Sequence, residues 1–173
     1  KLRVLDLFSG IGGFSLGLER TGGFETVAFC EMKPHAQRVL AKNFPSVPCH
    51  DDVTTYDFKL GEADVITAGF PCQDISFAGD GAGLAGARSG LYREVIRALR
   101  VVRPLYAILE NVAALLSRGL DVVLGDMAEI GYDAEWHCIP ASAVGAPHRR
   151  DRIWIIADAG SEQHESDRAP FSG

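Results

Sequence analysis

The hydrophobic positions of the chain fall into short runs that alternate with amphipathic patterns of helical spacing. Strands that are apolar on both faces and alternate with helices are typical of an α/β fold, so we predict a Rossmann-like, doubly wound and mostly parallel sheet. The apolar runs predict strands at residues 2–7, 26–31, 63–69, 105–110, 134–139 and 152–157. Helical spacing is present near residues 13–20, 34–43, 90–102 and 120–130.

Chemically useful side chains follow the ends of these predicted strands. The first strand runs into "DLFSG" (6–10), and the second ends at Glu31. The third is followed by "PC" (71–72), and the fourth ends in "EN" (110–111). Ligands of open α/β sheets bind beyond the carboxyl ends of the strands, so this edge is the predicted ligand site.

Composition narrows the class of protein. The 173 residues make about one domain, and 47% hydrophobic with 23% charged residues is ordinary for a soluble globular protein. No apolar run approaches the roughly 20 residues that span a bilayer, and no secretory signal opens the chain. Four scattered cysteines without a CxxC pair argue against a disulfide framework and a cysteine zinc site. We therefore expect a cytoplasmic protein with reduced thiols.

The distribution of charge does not decide whether the binding partner is a nucleic acid. The net charge of −6 speaks mildly against nucleic-acid binding. Basic stretches nevertheless occur at residues 88–103 and 148–150. Within the first stretch, Arg93, Arg97 and Arg100 share one helical face, and we favour a solvated face over a DNA contact.

The glycine-rich segment "DLFSGIGGF" (6–14) joins the first strand to the first helix. Glu31 follows Gly10 at about the spacing of a ribose-binding carboxylate in nucleotide-binding α/β units. Counting from Gly10, Ser15 stands at the third glycine position of the dinucleotide fingerprint. A nucleoside without a pyrophosphate is therefore favoured over a redox dinucleotide, and a simple tight loop is the alternative.

A cysteine and a glutamate carry the candidate chemistry. Cys72 follows a strand at the predicted cleft, where a thiolate can act as a nucleophile, although a packed thiol is the alternative. We expect apolar surroundings for Glu110, which would let its carboxyl hold and donate a proton. This pair suits nucleophilic addition to an electron-poor ring. A zinc deaminase is disfavoured because Ile75 replaces its second cysteine. The other thiols, at Cys30, Cys49 and Cys138, are expected to be packed.

The motifs "DLFSGIGGF", Glu31, "GFPCQDIS", "ENV" and "PHRRDRIW" occur in an order that resembles the cytosine-5 DNA methyltransferase family. The resemblance runs from Val4 to about Ala157. It implies the S-adenosyl-L-methionine-dependent methyltransferase fold, with a catalytic domain at 1–157 and a polar linker or tail at 158–173. It also implies double-stranded DNA as the partner, and it implies neither a metal nor a membrane.

The same resemblance assigns roles to residues of this chain. Phe8 would stack on the adenine of S-adenosyl-L-methionine, Glu31 would hold its ribose, and Asp52 would contact the adenine amino group. The implied cofactor site is Phe8, Ser9, Gly10, Gly12, Gly13, Glu31, Met32, Asp52, Val53, Pro71 and Leu91. The implied catalytic residues are Cys72, Glu110, Arg150 and Arg152, and the implied substrate contacts are Gln73, Ser76 and Asn111. The glycine-rich stretch 78–90 resembles the family's mobile loop that closes over the base.

The family continues into a target-recognition region and a last conserved segment, and neither is visible in this sequence. We therefore expect target recognition to come from a partner chain or from further sequence. An active methyltransferase of a restriction–modification system or phage is the favoured interpretation. A noncatalytic cofactor-binding subunit and an RNA cytosine-5 methyltransferase remain the alternatives.

Overall fold

A single mixed sheet runs through the described part of the protein, residues 1–71 and 90–160 of a computed structural model. Its strands are β1 (Leu2–Leu7), β2 (Phe24–Cys30), β3 (Cys49–His50), β4 (Val65–Ala68), β5 (Tyr106–Val112), β6 (Tyr132–Pro140) and β7 (Asp151–Ala159). They lie in the order β3-β2-β1-β4-β5-β7-β6. Strands β1 to β5 are parallel, whereas β7 is antiparallel to β5 and to β6. The predicted Rossmann-like, mostly parallel sheet is confirmed.

The helices lie close to their predicted positions. The described helices are α1 (Gly13–Arg20), α2 (Pro34–Asn43), α3 (Tyr92–Val102), α4 (Leu115–Arg118) and α5 (Leu120–Glu129), with a 3₁₀ turn at Ala141–Val144. The first two match the predicted bounds because clear signals begin them, a glycine turn before α1 and a proline in the first turn of α2. The sequence did not predict β3, α4 or the 3₁₀ turn, each of which is too short to show a period.

The central strands form the core that fixes the site. Leu5 and Leu7 on β1, Ile66 on β4 and Leu109 on β5 are fully buried. Helix α3 buries Val95, and also Leu99 and Val102, which are spaced for one helical face. Because β1, β2, β4 and β5 are parallel, their carboxyl ends meet at one edge, as the sequence indicated.

Strands β5 and β7 both run further than the sequence suggested. Glu110 and Asn111 lie inside β5 rather than at its end, because antiparallel pairing with β7 continues to Val112 opposite Arg152. Successive strand residues face opposite sides of a sheet, so Glu110 and Asn111 point away from each other. β7 itself continues to Ala159, which pairs with Tyr132, so its last two residues belong to the sheet. The tail predicted from residue 158 otherwise lies largely outside the described residues.

Candidate active site

The turn after β1 has an unusual backbone. Phe8, directly after the strand, has a φ of 53°, a left-handed conformation that non-glycine residues seldom adopt. Gly10 and Gly12 have φ values of 55° and 87°. A Cβ atom at Gly12 would lie 2.9 Å from a Leu40 side-chain carbon on α2, so this glycine also permits close packing of the loop. Strain of this kind is concentrated at functional sites.

Glu31 ties this turn to the end of β2. Its side chain is buried, and one carboxylate oxygen accepts the Gly10 N–H at 2.8 Å. The other oxygen accepts the Lys33 N–H, also at 2.8 Å. A carboxylate has about four acceptor positions, so two remain for hydroxyl groups of a ligand. Glu31 therefore shapes the loop and is still able to bind a ribose.

A cavity of about 600 Å³ lies beside Glu31 at the carboxyl edge of the sheet. Such a volume is typical of small-molecule sites. Of the implied cofactor residues, it is lined by Phe8, Gly10, Glu31, Met32, Asp52, Val53, Pro71 and Leu91. It is also lined by residues that sequence reasoning missed, namely Ile11, Cys30, Lys33, His35, Ala36, Asp51 and Gly69. Four of these seven, Ile11, Cys30, Lys33 and Asp51, are chain neighbours of predicted residues, and that adjacency was the available signal.

Three implied cofactor residues do not line the cavity. Ser9 is buried, and its hydroxyl donates to the Asp6 carbonyl and accepts the Cys30 N–H at 3.2 Å. Gly12 lies against α2, and Gly13 begins α1. Their placement indicates that they shape the loop that contacts the cavity, and their assignment as direct contacts stays a prediction.

Asp52 presents an ionised acceptor at the rim of the cavity. Its carboxylate accepts the N–H and the hydroxyl of Thr54 at 2.8 and 2.7 Å. These hydrogen bonds lower the pKa of Asp52 because they favour its charged form. The side chain is therefore suited to accept a hydrogen bond from an amino group of a ligand.

A buried carboxyl that the sequence did not reveal lies beneath the loop. Asp6 on β1 accepts the Thr67 hydroxyl at 2.7 Å and the Ser15 hydroxyl at 2.8 Å. Burial raises its pKa from 3.8 to about 7, against the opposing effect of these hydrogen bonds. Thr67 lies on β4 and Ser15 on α1, so the two hydrogen bonds of Asp6 link β1 to both of these elements.

Asn111 supports the turn that leads to Cys72. Its side chain is buried, and its amide donates to the Phe70 carbonyl at 3.2 Å, while its oxygen accepts the Val112 N–H at 2.8 Å. Cys72, Gln73 and Ser76, as well as most of the predicted loop at 78–90, lie outside the described residues. The substrate contact predicted for Asn111 stays a prediction, and its observed contacts are with the protein.

Glu110 lies beside a cation, so the expectation of purely apolar surroundings is wrong. The Arg152 Nε atom is 2.7 Å from a Glu110 oxygen, and each side chain is about a quarter exposed. Trp154, which pairs with Glu110 across β5 and β7, packs edge-on against Phe14. Arg152 lies on β7, a strand far from Glu110 in the chain. The sequence pattern around Glu110 therefore could not indicate this ion pair.

Gly69 lies next to both the cavity and the Glu110 carboxylate. It lines the cavity, and a Cβ atom placed on it would lie 3.4 Å from the second oxygen of Glu110. A methyl group there would just touch the carboxylate, and a larger side chain would lie against it. Arg150, the other predicted arginine, is exposed just before β7 and has a φ of 37°.

The remaining thiols differ in their surroundings. Cys30 is buried, as predicted, and burial raises the pKa of its thiol to about 12, so it is a poor nucleophile. Cys49 and Cys138 are exposed, so the prediction that they are packed is wrong. Both lie on short or edge strands that are covered on fewer sides than the central sheet.

Membrane-spanning helices and metal-binding side-chain clusters are both absent from residues 1–71 and 90–160. No helix in these ranges is long and apolar enough to cross a membrane. No group of three or more His, Cys, Asp or Glu side chains among the described residues is arranged to hold a metal ion. A larger cavity, of about 840 Å³, lies between α3 and α5 and contains none of the implied cofactor residues.

Known proteins resemble this chain in sequence and in fold. The type II methyltransferase M.CviJI of Paramecium bursaria Chlorella virus IL3A is 41% identical over 161 residues, covering 90% of this chain and 42% of that protein. The type II methyltransferase M2.BsuMI of Bacillus subtilis (strain 168) is 37% identical over 164 residues, with the same coverage of 90% and 42%. A mutant of Spodoptera frugiperda DNMT2 shares the fold, with a TM-score of 0.76 at 22% identity, covering 99% of this chain and 53% of that one.

The chain spans less than half the length of these two relatives. The profile of the family described as C-5 cytosine-specific DNA methylase matches residues 2–170, which is nearly the whole sequence. Together with the sheet order and the Glu31 loop, this match shows the family. The chain therefore belongs to the C-5 cytosine-specific DNA methylase family.

Proposed function

We propose that this chain is the catalytic core of a DNA (cytosine-5) methyltransferase that uses S-adenosyl-L-methionine to methylate carbon 5 of an extruded cytosine. One observation supports this most directly. Gly69 borders the cavity and also faces the Glu110 carboxylate, so a bound nucleoside and a base held by Glu110 would be neighbours. Proximity of the two reactants is the main requirement of group transfer.

The residues of the cavity fit S-adenosyl-L-methionine. Glu31 has two acceptor positions left for ribose hydroxyls, and Asp52 is an ionised acceptor for the adenine amino group. Phe8 provides an aromatic face for adenine stacking. The cofactor, when bound, supplies an electrophilic methyl group. The exposed Met32 and the half-buried Leu91 add apolar surface to the same site.

The protein's own groups prepare the base. The Cys72 thiolate attacks carbon 6 of cytosine, which makes carbon 5 nucleophilic, and Glu110 hydrogen-bonds or protonates ring nitrogen 3. Arg152 holds Glu110 in place and Arg150 is available for the base oxygen and the neighbouring phosphate. After methylation, carbon 5 loses its proton to water, the electron pair of that C–H bond restores the double bond between carbons 5 and 6, and the Cys72 sulfur leaves carbon 6 as a thiolate. Extrusion of the base costs a few kcal/mol, which contacts from Gln73, Ser76 and the 78–90 loop would offset.

Covalent trapping tests this proposal. The chain is incubated with S-adenosyl-L-methionine and duplex DNA in which 5-fluorocytosine replaces cytosine, and denaturation-resistant adducts are then measured. Fluorine cannot leave as a proton does, so we expect an adduct that is absent in Cys72→Ala and unchanged in Cys138→Ala, an exposed thiol. An adduct that persists in Cys72→Ala would contradict the proposed nucleophile.

The same assay separates the alternatives. Binding of S-adenosyl-L-methionine without any adduct would favour a noncatalytic subunit or a requirement for target recognition from a partner chain or further sequence. Competition by transfer RNA stronger than by duplex DNA would favour an RNA substrate. A cytoplasmic location and a role in restriction–modification remain predictions.

A further inference from the structure

Arg97 lies against the protein and is half-buried, although its helical face was expected to be solvated. Its Nη2 atom donates to the Val53 carbonyl at 2.7 Å, and its Nη1 atom donates to the Tyr56 carbonyl at 3.1 Å. The guanidinium carbon lies 4.5 Å from the centre of the Phe58 ring. The exposed Arg93 and Arg100 follow the expectation, so Arg97 is the exception on this face of α3.

Arg97 is itself held in a fixed orientation. Its Nε atom is 2.6 Å from a carboxylate oxygen of Glu94, one turn earlier on α3. Phe58, beneath the guanidinium, stacks on Tyr56 with ring centres 4.6 Å apart. A planar guanidinium that bonds through all three nitrogens and stacks on an aromatic ring loses little further freedom, and a lysine could not reproduce this geometry.

The segment that Arg97 contacts has little backbone structure of its own. Residues 52–58 form turns between β3 and β4 rather than a helix or strand. Their internal backbone hydrogen bonds, from Thr55 to Asp52 and from Tyr56 to Val53, are long at 3.3 and 3.4 Å. The side chains of Val53, Tyr56 and Phe58 anchor this segment in the core, and the 2.7 Å bond from Arg97 to the Val53 carbonyl adds a direct restraint on its backbone.

Arg97 connects two walls of the cofactor cavity. Asp52 and Val53 line one wall, and Leu91, at the start of α3, lines another. We propose that Arg97 is a positioning residue that fixes the separation of these walls and thereby sets the affinity for the adenosine part of the cofactor. This inference rests on the proposed use of S-adenosyl-L-methionine.

Cofactor affinity measured by calorimetry tests the inference. We expect Arg97→Gln to bind S-adenosyl-L-methionine, and adenosine alone, about tenfold more weakly, the effect typical of losing charge-assisted hydrogen bonds. Arg97→Lys should recover part of the loss, because it restores one charged donor. Arg100→Gln is the matched control, since Arg100 forms an exposed ion pair with Glu129 at 3.6 Å. Equal affinity in Arg97→Gln and the wild type would overturn the inference.

Hydrogen exchange distinguishes this failure from failure of the proposed function. In cofactor-free protein, amides of residues 53–58 should exchange faster in Arg97→Gln than in Arg100→Gln. If the wild type binds no S-adenosyl-L-methionine, the proposed function fails even where this exchange difference is present. If Arg97→Gln does not fold, Phe58→Leu replaces it as the test, because it keeps an apolar side chain but removes the ring beneath Arg97. Unchanged cofactor affinity in Phe58→Leu would count against the inference. Weaker DNA binding with unchanged cofactor affinity in Arg97→Gln would also overturn it.

Discussion

The buried carboxyl of Asp6 makes the stability of this protein depend on pH in a definite direction. Asp6 is fully buried, and burial raises its pKa from 3.8 to about 7. A carboxyl with a higher pKa in the folded state binds its proton more tightly there than in the unfolded chain. The contribution of Asp6 to the free energy of unfolding is therefore greatest below pH 3.8, where the group is protonated in both states. This contribution is lost as the pH rises through about 7.

The size of this effect follows from the two pKa values. The interval from 3.8 to about 7 corresponds to about 4 kcal/mol, at 1.36 kcal/mol per pH unit. Asp6→Asn removes the titration, and its amide still hydrogen-bonds with the hydroxyls of Thr67 and Ser15. We expect the free energy of unfolding of the wild type, minus that of Asp6→Asn, to fall by about 4 kcal/mol between roughly pH 4 and pH 8.

Urea unfolding followed by circular dichroism measures this difference at each pH. The subtraction removes the titration of every other carboxyl, because both proteins share them. Asp133→Asn, at an exposed position on β6, is the control for loss of an aspartate by the same substitution. A wild-type minus Asp6→Asn difference that stays constant within about 1 kcal/mol over this range would refute the reasoning.

Three further substitutions probe the site. Asn111→Ala leaves the carbonyl of the buried Phe70 without its donor, so we expect a loss of about 1–3 kcal/mol in the free energy of unfolding and slower adduct formation with unchanged cofactor affinity. Gly69→Val places atoms against the Glu110 carboxylate, so we expect adduct formation to fall at least about tenfold, measured by trapping. Glu31→Gln directs an amide N–H₂ at one of two backbone N–H groups, so calorimetry should show cofactor affinity reduced by about tenfold or more.

Two of these substitutions, Gly69→Val and Glu31→Gln, have a control in the same chain. Gly17→Ala on α1 meets no atom within 4 Å, so it should leave adduct formation unchanged where Gly69→Val does not. Glu25 lies on β2, the strand that ends directly before Glu31, so Glu25→Gln tests whether loss of a carboxylate charge alone lowers cofactor affinity. Unchanged trapping in Gly69→Val, or unchanged cofactor affinity in Glu31→Gln, would show that the cavity is not the site of methyl transfer.

The parts of the fold with a clear period were predictable from sequence. Strand β1 and helices α1 and α2 have the predicted bounds, because apolar spacing and a glycine or proline signal agree there. Glu31 was predictable because the distance from Gly10 is set by one strand–helix–strand unit. Strand β3, with two residues, has no period to detect.

Contacts between distant parts of the chain were not predictable in this way. The pairing of Glu110 with Arg152 depends on β7 lying next to β5, which local spacing does not encode. The helical pattern of α3 places Arg97 on the polar face, but the segment 52–58 lies against this one arginine and accepts two hydrogen bonds from it. In the sequence, Asp6 is a single polar residue in an apolar strand. Its hydrogen bonds with Thr67 and Ser15 depend on tertiary contacts with β4 and α1, which the local pattern does not indicate.

The position of β7 between β5 and β6 has a consequence for how the protein is made. The chain emerges from the ribosome in the order β5, β6, β7. β5 can pair at once with β4, but its other edge and the whole of β6 have no sheet partner until β7 is available. A nascent chain that ends before residue 151 has a Glu110 without Arg152. The proposed catalytic pair is therefore completed only when β7 is synthesised, and closure of this end of the sheet and assembly of the site become the same event.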